Sequence, residues 1–444
     1  MRFITFDFRP GTTTPQHPVF LLVNLLLIAG FIWLLLIAAF RKYAAQFEPY
    51  NLKHFTALAV ITGLAFRAIF IGSTPIYEDD WNRYLWDGAV ITQGINPYTY
   101  SPDDIIKNTD ATNLEIQTLN ALSAQNGNFT ARINNPHLTT IYPPAAQAVF
   151  AAAAIIKPFN LDVLRTLYLI SELIAMLLLI KALSQAQRSR IWIWAYALNP
   201  IVIFTAFNGM HMDILLVPFI LGAIILVQRR PALTVILTAC AAAIKLWPLI
   251  LGPIIFRNYR QNFLRYASYG IVLFILFTAL CLPMLSAMGE NSGLTAYSIS
   301  WQRSSFLFPL MEAGLGYFTE NNASIARLFI ALVIGLGAMC LGLSRRADQH
   351  SLWALAMLIT VLFFLLSPTG FPWYVIWFAF LIPLVPSYGA ALLCVLVSLY
   401  YIRFWLGEAG QYDIYINELI PLQFGLPIII LLFEAFKGYK LARR

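Results

Sequence analysis

Apolar runs long enough to cross a bilayer recur along this 444-residue chain, from Val19 almost to its last residue. The hydrocarbon core of a membrane, about 30 Å thick, takes roughly 20 residues of helix to span. Backbone N–H and C=O groups inside it find no water and must pair within the chain, which leaves helical bundles and closed barrels. The runs here are continuous rather than alternating, so the bundle is selected. Composition agrees: 59% of residues are hydrophobic and 11% charged, with a mean hydropathy of +0.71. That is too little polar material to coat water-soluble domains of this size. The expected fold class is an all-α polytopic membrane protein, one integral-membrane domain over residues 1–444.

Spans are expected at about 19–40, 55–73, 163–183, 191–207, 212–228, 232–246, 247–257, 266–286, 325–343, 351–367, 373–387, 389–405 and 421–436, twelve or thirteen in all. The short pieces 232–246 and 247–257 read as two half-helices or one span kinked at Pro248 and Pro253. Val19 to Phe40 is too long for a signal-peptide core and lacks a small-residue cleavage pattern, so it reads as a retained span. Residues 103–141, rich in Asn, Thr and Asp, read as a loop.

Lys and Arg set the orientation. They cluster at Arg41, Lys42 and Lys53; Lys181, Arg188 and Arg190; Arg229 and Arg230; Arg257, Arg260 and Arg265; Arg345 and Arg346; and Lys437, Lys440, Arg443 and Arg444. All six clusters fall on the cytoplasmic side if 143–157 stays in the interface or re-enters and 232–257 crosses out and back. The opposite face then receives 287–324, 406–420 and the 74–142 loop, which carries eight acids against three Lys/Arg. The net charge of +8 belongs to the cytoplasmic loops. No nucleic-acid motif occurs. The four cysteines, Cys240, Cys281, Cys340 and Cys394, lie in apolar runs without metal-ligand spacing and read as small core side chains.

Against this background, YEDDWNRYLWDGAVITQGINPY at 77–98 stands out, because it gathers Glu78, Asp79 and Asp80 beside a span. Asp79–Gln93 fits a short interfacial helix with Asp80, Arg83, Tyr84 and Asp87 on one face. Trp81 and Trp86 suit the headgroup layer, and Gly94, Asn96 and Pro97 turn the chain. Burial raises a carboxyl pKa while Arg83 lowers it, and a carboxylate so placed can serve as base toward a hydroxyl.

Further polar residues fall at the outer ends of spans: Asn208, His211 and Asp213 between two of them, Lys245 and Trp247 at the 232–257 turn, Ser367 to Tyr374 at another, and Arg165 where 163–183 begins. Charge at membrane depth costs about 2.5–3.5 kcal/mol on insertion scales, so such residues face a cavity or a partner. Lys245, in AAAIKLWPL, is either a cation for a lipid-linked phosphate or a snorkelling lysine. Arg67 is expected to pair with an acid such as Glu172 in a structural role. His211 and Asp213 lack a third ligand and make no metal site. No P-loop or Rossmann phosphate loop is present, so no cofactor is expected and a donor entering sideways from the bilayer fits better than a soluble nucleotide sugar.

Several motifs in order carry a resemblance. They are Glu78-Asp79-Asp80 with Arg83-Tyr84, Trp86-Asp87-Gly88 and Gly94-x-Asn96-Pro97-Tyr98; Tyr142-Pro143-Pro144-x-x-Gln147; Asn199-Pro200 with Asn208-Gly209-Met210-His211-Met212-Asp213; Ile244-Lys245-Leu246-Trp247-Pro248; and Ser367-Pro368-Thr369-Gly370-Phe371-Pro372-Trp373-Tyr374. Together they resemble integral-membrane glycosyltransferases of the GT-C fold, in particular bacterial polyprenyl-phosphate-mannose-dependent mannosyltransferases and GPI mannosyltransferases. An extra first span at 19–40, which puts the N-terminus outside, and Gly370-Phe371 in place of a more polar pair depart from the pattern.

The resemblance implies a GT-C-type bundle with 74–162 as the external catalytic loop. Its acidic pair supplies the base: alignment on Asp87 favours Asp79, alignment on Arg83-Tyr84 favours Asp80. The implied reaction moves a hexose, mannose, with inversion from a polyprenyl-phosphate carrier to a hydroxyl of a glycan, glycolipid or protein acceptor. Lys245, with Arg165 or Arg303, would hold the phosphate. Glu78, Arg83, Asp87, Tyr142, Asn208, His211, Asp213, Trp247, Trp373 and Tyr374 would line the substrate site. The implied location is the bacterial inner (plasma) membrane, active site toward the periplasm or exterior. The rival class is a transporter or flippase of a lipid-linked sugar or polyprenyl phosphate, which would also use buried charge and broken helices.

Overall fold

A computed structural model describes residues 17–43, 46, 52–108, 112–289, 291–345 and 350–441. The expected placement of the N-terminus, Asp110 of the acidic loop, Arg346, Arg443, Arg444 and the side chain of Lys440 lie outside what is described. Helices dominate, and the chain is an all-α polytopic integral membrane protein. Among the described residues six helices are long and apolar enough to cross a membrane: Val19–Tyr43, Leu161–Gln185, Phe263–Leu285, Asn322–Leu343, Tyr388–Glu408 and Tyr412–Lys437. A seventh crossing is available if Arg190–Ala197 and Pro200–Asn208, bent by 50° at Asn199, count as one.

The twelve or thirteen expected runs are therefore not twelve or thirteen uninterrupted spanning helices. Several are shorter pieces, among them Met212–Leu226, Pro231–Ile244 and Leu352–Leu366. Proline accounts for much of the division. Pro200, Pro218, Pro231, Pro248, Pro253 and Pro372 each sit in the first turn of a helical piece, where the missing N–H costs nothing and the fixed φ starts a helix rather than continuing one. Where helices do run long, their outward sides are apolar. Leu264, Ile271, Phe274, Ile275 and Leu282 of Phe263–Leu285 are all exposed, as a lipid-facing surface requires.

The N-terminal half carries the acidic turn and the helices packed around it. Helices α1 (Val19–Tyr43) and α2 (Lys53–Ala68) precede the acidic turn. Helix α3 (Asp80–Thr92) begins with Asp79 at its N-cap and ends at Gln93, where Gly94 takes a φ of +76°, a conformation open to glycine at little cost. Residues 103–141, expected as loop, contain α4 (Pro102–Lys107), α5 (Leu114–Gln125) and a 3₁₀ turn at Phe129–Arg132. The signals were caps rather than hydrophobic periodicity: Ser101 and Asp104 form a capping box, and Asn113 accepts from the Ile116 N–H.

Helix α6 (Pro144–Ile156) packs closely on α3 and also touches α7 (Leu161–Gln185), whose first turn Asn160 caps. Gly88 lets α3 and α6 approach: a Cβ there would stand 2.3 Å from the Phe150 carbonyl oxygen. One turn earlier, Tyr84 stacks on Phe150 with ring centroids 4.5 Å apart. Below this platform, Arg67 of α2 donates to Glu172 of α7 at 2.6 Å, both fully buried. This is the structural pair the sequence suggests.

Candidate active site

The residues singled out by chemistry are set by helix ends. Asp80 opens α3, Asn208 ends the π-helical turn Phe204–Asn208, His211 is the N-cap of the 3₁₀ piece Met212–Leu216, and Asp213 sits in the first turn of that piece. Lys245 ends Pro231–Ile244 in an extended conformation, φ −153° and ψ 136°. Trp373 and Tyr374 sit in the 3₁₀ turn Pro372–Val375. Helix ends leave backbone polar groups unpaired, so they tolerate irregular chain that helix middles do not.

His211 is the centre of the cluster. Its Nε2 lies 3.7 Å from Glu78 Oε2 and its Nδ1 lies 3.9 Å from Asp80 Oδ2. The ring stacks on Trp373 at 3.6 Å and 9°, and Trp373 in turn stacks on Phe371 at 4.4 Å. Burial pushes the imidazole down to about 4, with Asp80 and Asp213 pulling it up and Lys245 pushing it further down. It is therefore neutral at ordinary pH. The same four influences show that the acids of the first loop and the ammonium at 245 share one neighbourhood.

Lys245 Nζ donates to Asp213 Oδ1 at 2.7 Å, and Trp377 Nε1 donates to the same oxygen at 2.5 Å. The ammonium also stands 4.2 Å above the Tyr374 ring. Tyr374 continues into a line of hydroxyls: its Oη lies 2.7 Å from that of Tyr297, which lies 2.8 Å from Thr369 Oγ1. Trp247 stacks on Trp377 at 5.4 Å, and its indole N–H is buried without a partner.

The three acids differ. Burial pushes Glu78 up to about 8, aided by Asp80 and opposed by Arg403, so it carries its proton at neutral pH. Its Oε1 is buried with no hydrogen bond. Desolvation by the surrounding protein and the charge of Asp80 bring Asp79, although its surface is open to solvent, to about 6, against a lowering hydrogen bond from Asn134. Asp80 turns inward, its side chain 28% exposed, whereas Asp79 is an exposed residue at the rim. The backbone that presents them is bent sharply: Tyr77 and Met210 both have positive φ, 60° and 61°. Non-glycine residues hold such angles only where their surroundings fix them. For Tyr77 those include the Phe404 ring, stacked 4.2 Å away.

Four residues expected to touch substrate are engaged by partners within the protein. Arg83 donates to the Leu138 carbonyl at 3.0 Å, and Asp87, 1% exposed, accepts from Gln147 at 2.8 Å. Both face the α3–α6 contact because the helix turns that side toward α6. Arg165 donates to the carbonyls of Phe207 and Ser73 and to Asp162. Asn208 accepts from the Ile76 N–H and donates to the Thr74 carbonyl. These two tie the acidic turn to the 204–212 turn, so they place Glu78 and His211 rather than meet a ligand. Arg303 is exposed and joined to Thr369 through an isolated parallel bridge. Tyr142 lies beside Asp80 and Tyr84.

Other contributors were not singled out in the sequence. Arg403 lies 4.4 Å from both the Tyr400 and Phe404 rings, with a buried Nε lacking a partner, and its charge reaches Glu78. A charged residue inside the expected 389–405 run is the same signal that flagged Arg67. Trp377 stands one helical turn after Trp373 and could have been found by that spacing. Asn134 had no distinguishing signal among its polar neighbours. Among the described residues no group of three or more His, Cys, Asp or Glu side chains is arranged to hold a metal ion.

A family model described as alpha-(1->6)-mannopyranosyltransferase, N-terminal domain, matches residues 9–259. That range includes Glu78 to Asp80, Asn134, His211, Asp213 and Lys245. The chain is 27% identical over 338 residues to alpha-(1->6)-mannopyranosyltransferase A of Mycobacterium tuberculosis, covering 69% of this chain and 61% of the relative. It thus matches less than two thirds of that relative's length. No solved structure matches.

Proposed function

The chain belongs to the alpha-(1->6)-mannopyranosyltransferase family, and from that premise we propose that it is a mannosyltransferase using a polyprenyl-phosphate-linked donor. The acceptor is a hydroxyl of a glycan, glycolipid or protein, presented on the external face of a bacterial inner membrane.

The observation that carries this reading is the position of His211 between Glu78 and Asp80 and within the field of Asp213 and Lys245. It puts a basic carboxylate and an ammonium around one space. In the proposed reaction Asp80 is the base, since its Oδ2 faces the cluster while Asp79 stands at the rim. Asp80 takes the acceptor proton as the acceptor oxygen bonds to the anomeric carbon. The bond from that carbon to the phosphate oxygen breaks, and polyprenyl phosphate departs with the electron pair. Displacement from the opposite side inverts the anomeric centre. Lys245, which shares its charge with Asp213, and Arg403, whose Nε is unpaired, stabilise the leaving phosphate. Neutral His211, flat on Trp373, offers ring nitrogens to sugar hydroxyls.

The decisive experiment incubates purified protein with polyprenyl-phosphate mannose and candidate acceptors and identifies products by mass spectrometry. Asp80→Asn should lower turnover by about 10²–10⁴-fold, the usual contribution of a general base, while the protein stays folded. Normal turnover in Asp79→Asn, Asp80→Asn and the double variant would overturn the reading. Movement of the donor across the bilayer without a new glycosidic bond would favour the flippase.

A further inference from the structure

One polar side chain touches both rim acids. Asn134 Nδ2 lies 2.6 Å from Asp79 Oδ1 and 3.2 Å from Asp80 Oδ1. An amide nitrogen carries two hydrogens, so it can serve two acceptors at once. The assignment is forced, because the flipped amide would set its oxygen against two carboxylates. Asp80 is thereby held by one oxygen, which leaves Oδ2 toward His211.

The segment that carries Asn134 is itself fixed. Ile133 before it is buried in the core. Asn135 after it has a φ of +47° and accepts from the Leu138 N–H. The Leu138 carbonyl accepts from Arg83 on α3. Asn134 and the acids are thus anchored through two routes to the same helix, 54 residues apart in sequence.

We infer that Asn134 is a positioning residue for transfer: its amide gathers Asp79 and Asp80 and turns Oδ2 of Asp80 into the cluster. This rests on the proposed reaction for its kinetic meaning. The choice of an amide has a physical reason. A lysine or arginine at this position would neutralise the pair and weaken it as a base. An amide orients both carboxylates and leaves their charge in place.

The pair is faced by Glu78 on its own turn and Arg83 and Tyr84 from α3. Tyr142 approaches from the turn before α6, Tyr168 from α7, His211 and Asp213 from the 208–213 turn, and Lys245 from the end of Pro231–Ile244. Arg403 reaches it through Glu78. Against these, Asn134 is the group that hydrogen-bonds both carboxylates. A donor to the charged form holds a carboxyl pKa down, so its removal moves the acidic limb of activity upward in pH.

The test compares Asn134→Ala and Asn134→Asp with wild type in two readouts. In transfer assays Asn134→Ala should lower kcat roughly 10–100-fold, the scale of a small misplacement of a reacting group, with KM for the acceptor changed less than about threefold, while the acidic limb moves to higher pH. Asn134→Asp, which replaces the donor with a third carboxyl group beside the pair, should lower kcat at pH 8 at least as far as Asn134→Ala does. Infrared titration of the carboxyl stretch, assigned with Asp79→Asn, should show Asp79 retaining its proton to higher pH in Asn134→Ala. An unmoved infrared titration, or kcat within twofold of wild type with an unmoved pH limb, overturns the inference. If wild type fails to use the mannolipid, the reaction is wrong, and the infrared titration still decides the role of Asn134.

Discussion

Two places in this molecule bury charge among apolar side chains, and they solve the problem differently. Between α2 and α7, Glu172 accepts from Arg67 at 2.6 Å and from Tyr196 at 2.6 Å. Arg67 also donates to the Gly63 and Ala197 carbonyls, and the Tyr196 and Phe207 rings lie 5.7 and 5.8 Å from it. The charges cancel, both carboxylate oxygens are taken, and nothing is left for a ligand except an unpaired Nη2. Around His211 the arrangement is open. Glu78 Oε1, His211 Nε2, Trp247 Nε1 and Arg403 Nε are buried without partners, and the chain on both sides holds positive φ. Unmade hydrogen bonds and strained backbone cost stability. Around His211 four such atoms gather beside the residues of the proposed reaction, where a ligand would complete them.

The largest test of this contrast is to exchange the readouts. Arg67→Ala leaves Glu172 buried and unpaired, and should destabilise the protein by about 3–5 kcal/mol in detergent unfolding. Arg67→Met with Glu172→Leu should recover most of that loss, since an apolar pair of similar volume needs no partner. Asp80→Asn should leave unfolding almost unchanged while it removes turnover. If Asp80→Asn unfolds the protein as Arg67→Ala does, the two sites are not different in kind.

A second test uses pH. His211 is held near 4 against an ordinary 6.5, so the unfolded chain binds a proton that the folded one refuses. Its contribution is complete above pH 6.5 and is lost as pH falls toward 4. At about 1.4 kcal/mol per unit, this amounts to roughly 3 kcal/mol. The gap in unfolding free energy between wild type and His211→Asn should change by that order between pH 7 and 4. Glu78, raised to about 8, acts in the opposite sense: its proton stabilises the fold at low pH, and that stabilisation is lost as pH rises through 8. A gap that stays constant with pH would mean that His211 is as solvated as a surface histidine.

The smallest expected effect sharpens the link between packing and site. Gly88→Ala places a methyl 2.3 Å from the Phe150 carbonyl. Overpacking of this kind costs about 1–3 kcal/mol, and the shift of α3 should lower kcat because the acids ride on its first turn. Unfolding and kinetics measured on the same preparation check this. Lost stability with full turnover would show that the site does not depend on the α3–α6 contact.

Much of the fold was legible in the sequence. The apolar runs required a helical membrane protein, and the 77–98 stretch contained α3 to within a residue of its observed ends. The Arg67–Glu172 pair followed from the cost of buried charge. Breaks near Pro231 and Pro372 fell at expected span boundaries and a kink was expected at Pro248 and Pro253; that several runs form pieces too short to span was harder to weigh, because a hydropathy window averages across a break that the backbone cannot ignore. Residues 103–141 were misjudged because α4 and α5 are defined by their caps and have little apolar periodicity.

The site was legible in its parts and not in their roles. His211, Asp213, Lys245, Trp373 and Asp80 were all marked by polar or aromatic chemistry at span ends, and they come together. Arg83, Asp87, Arg165 and Asn208 carried the same mark and became clamps. By itself the sequence determined the solvent, the helical class and the positions where charge had to find a partner, because those follow from the composition of each segment. Which partner each charge found was decided only by the tertiary structure. Hydrogen bonds such as Asn134 to Asp79 and Trp377 to Asp213 join segments 55 and 164 residues apart, and the short range of that interaction gives no local trace of it in either segment.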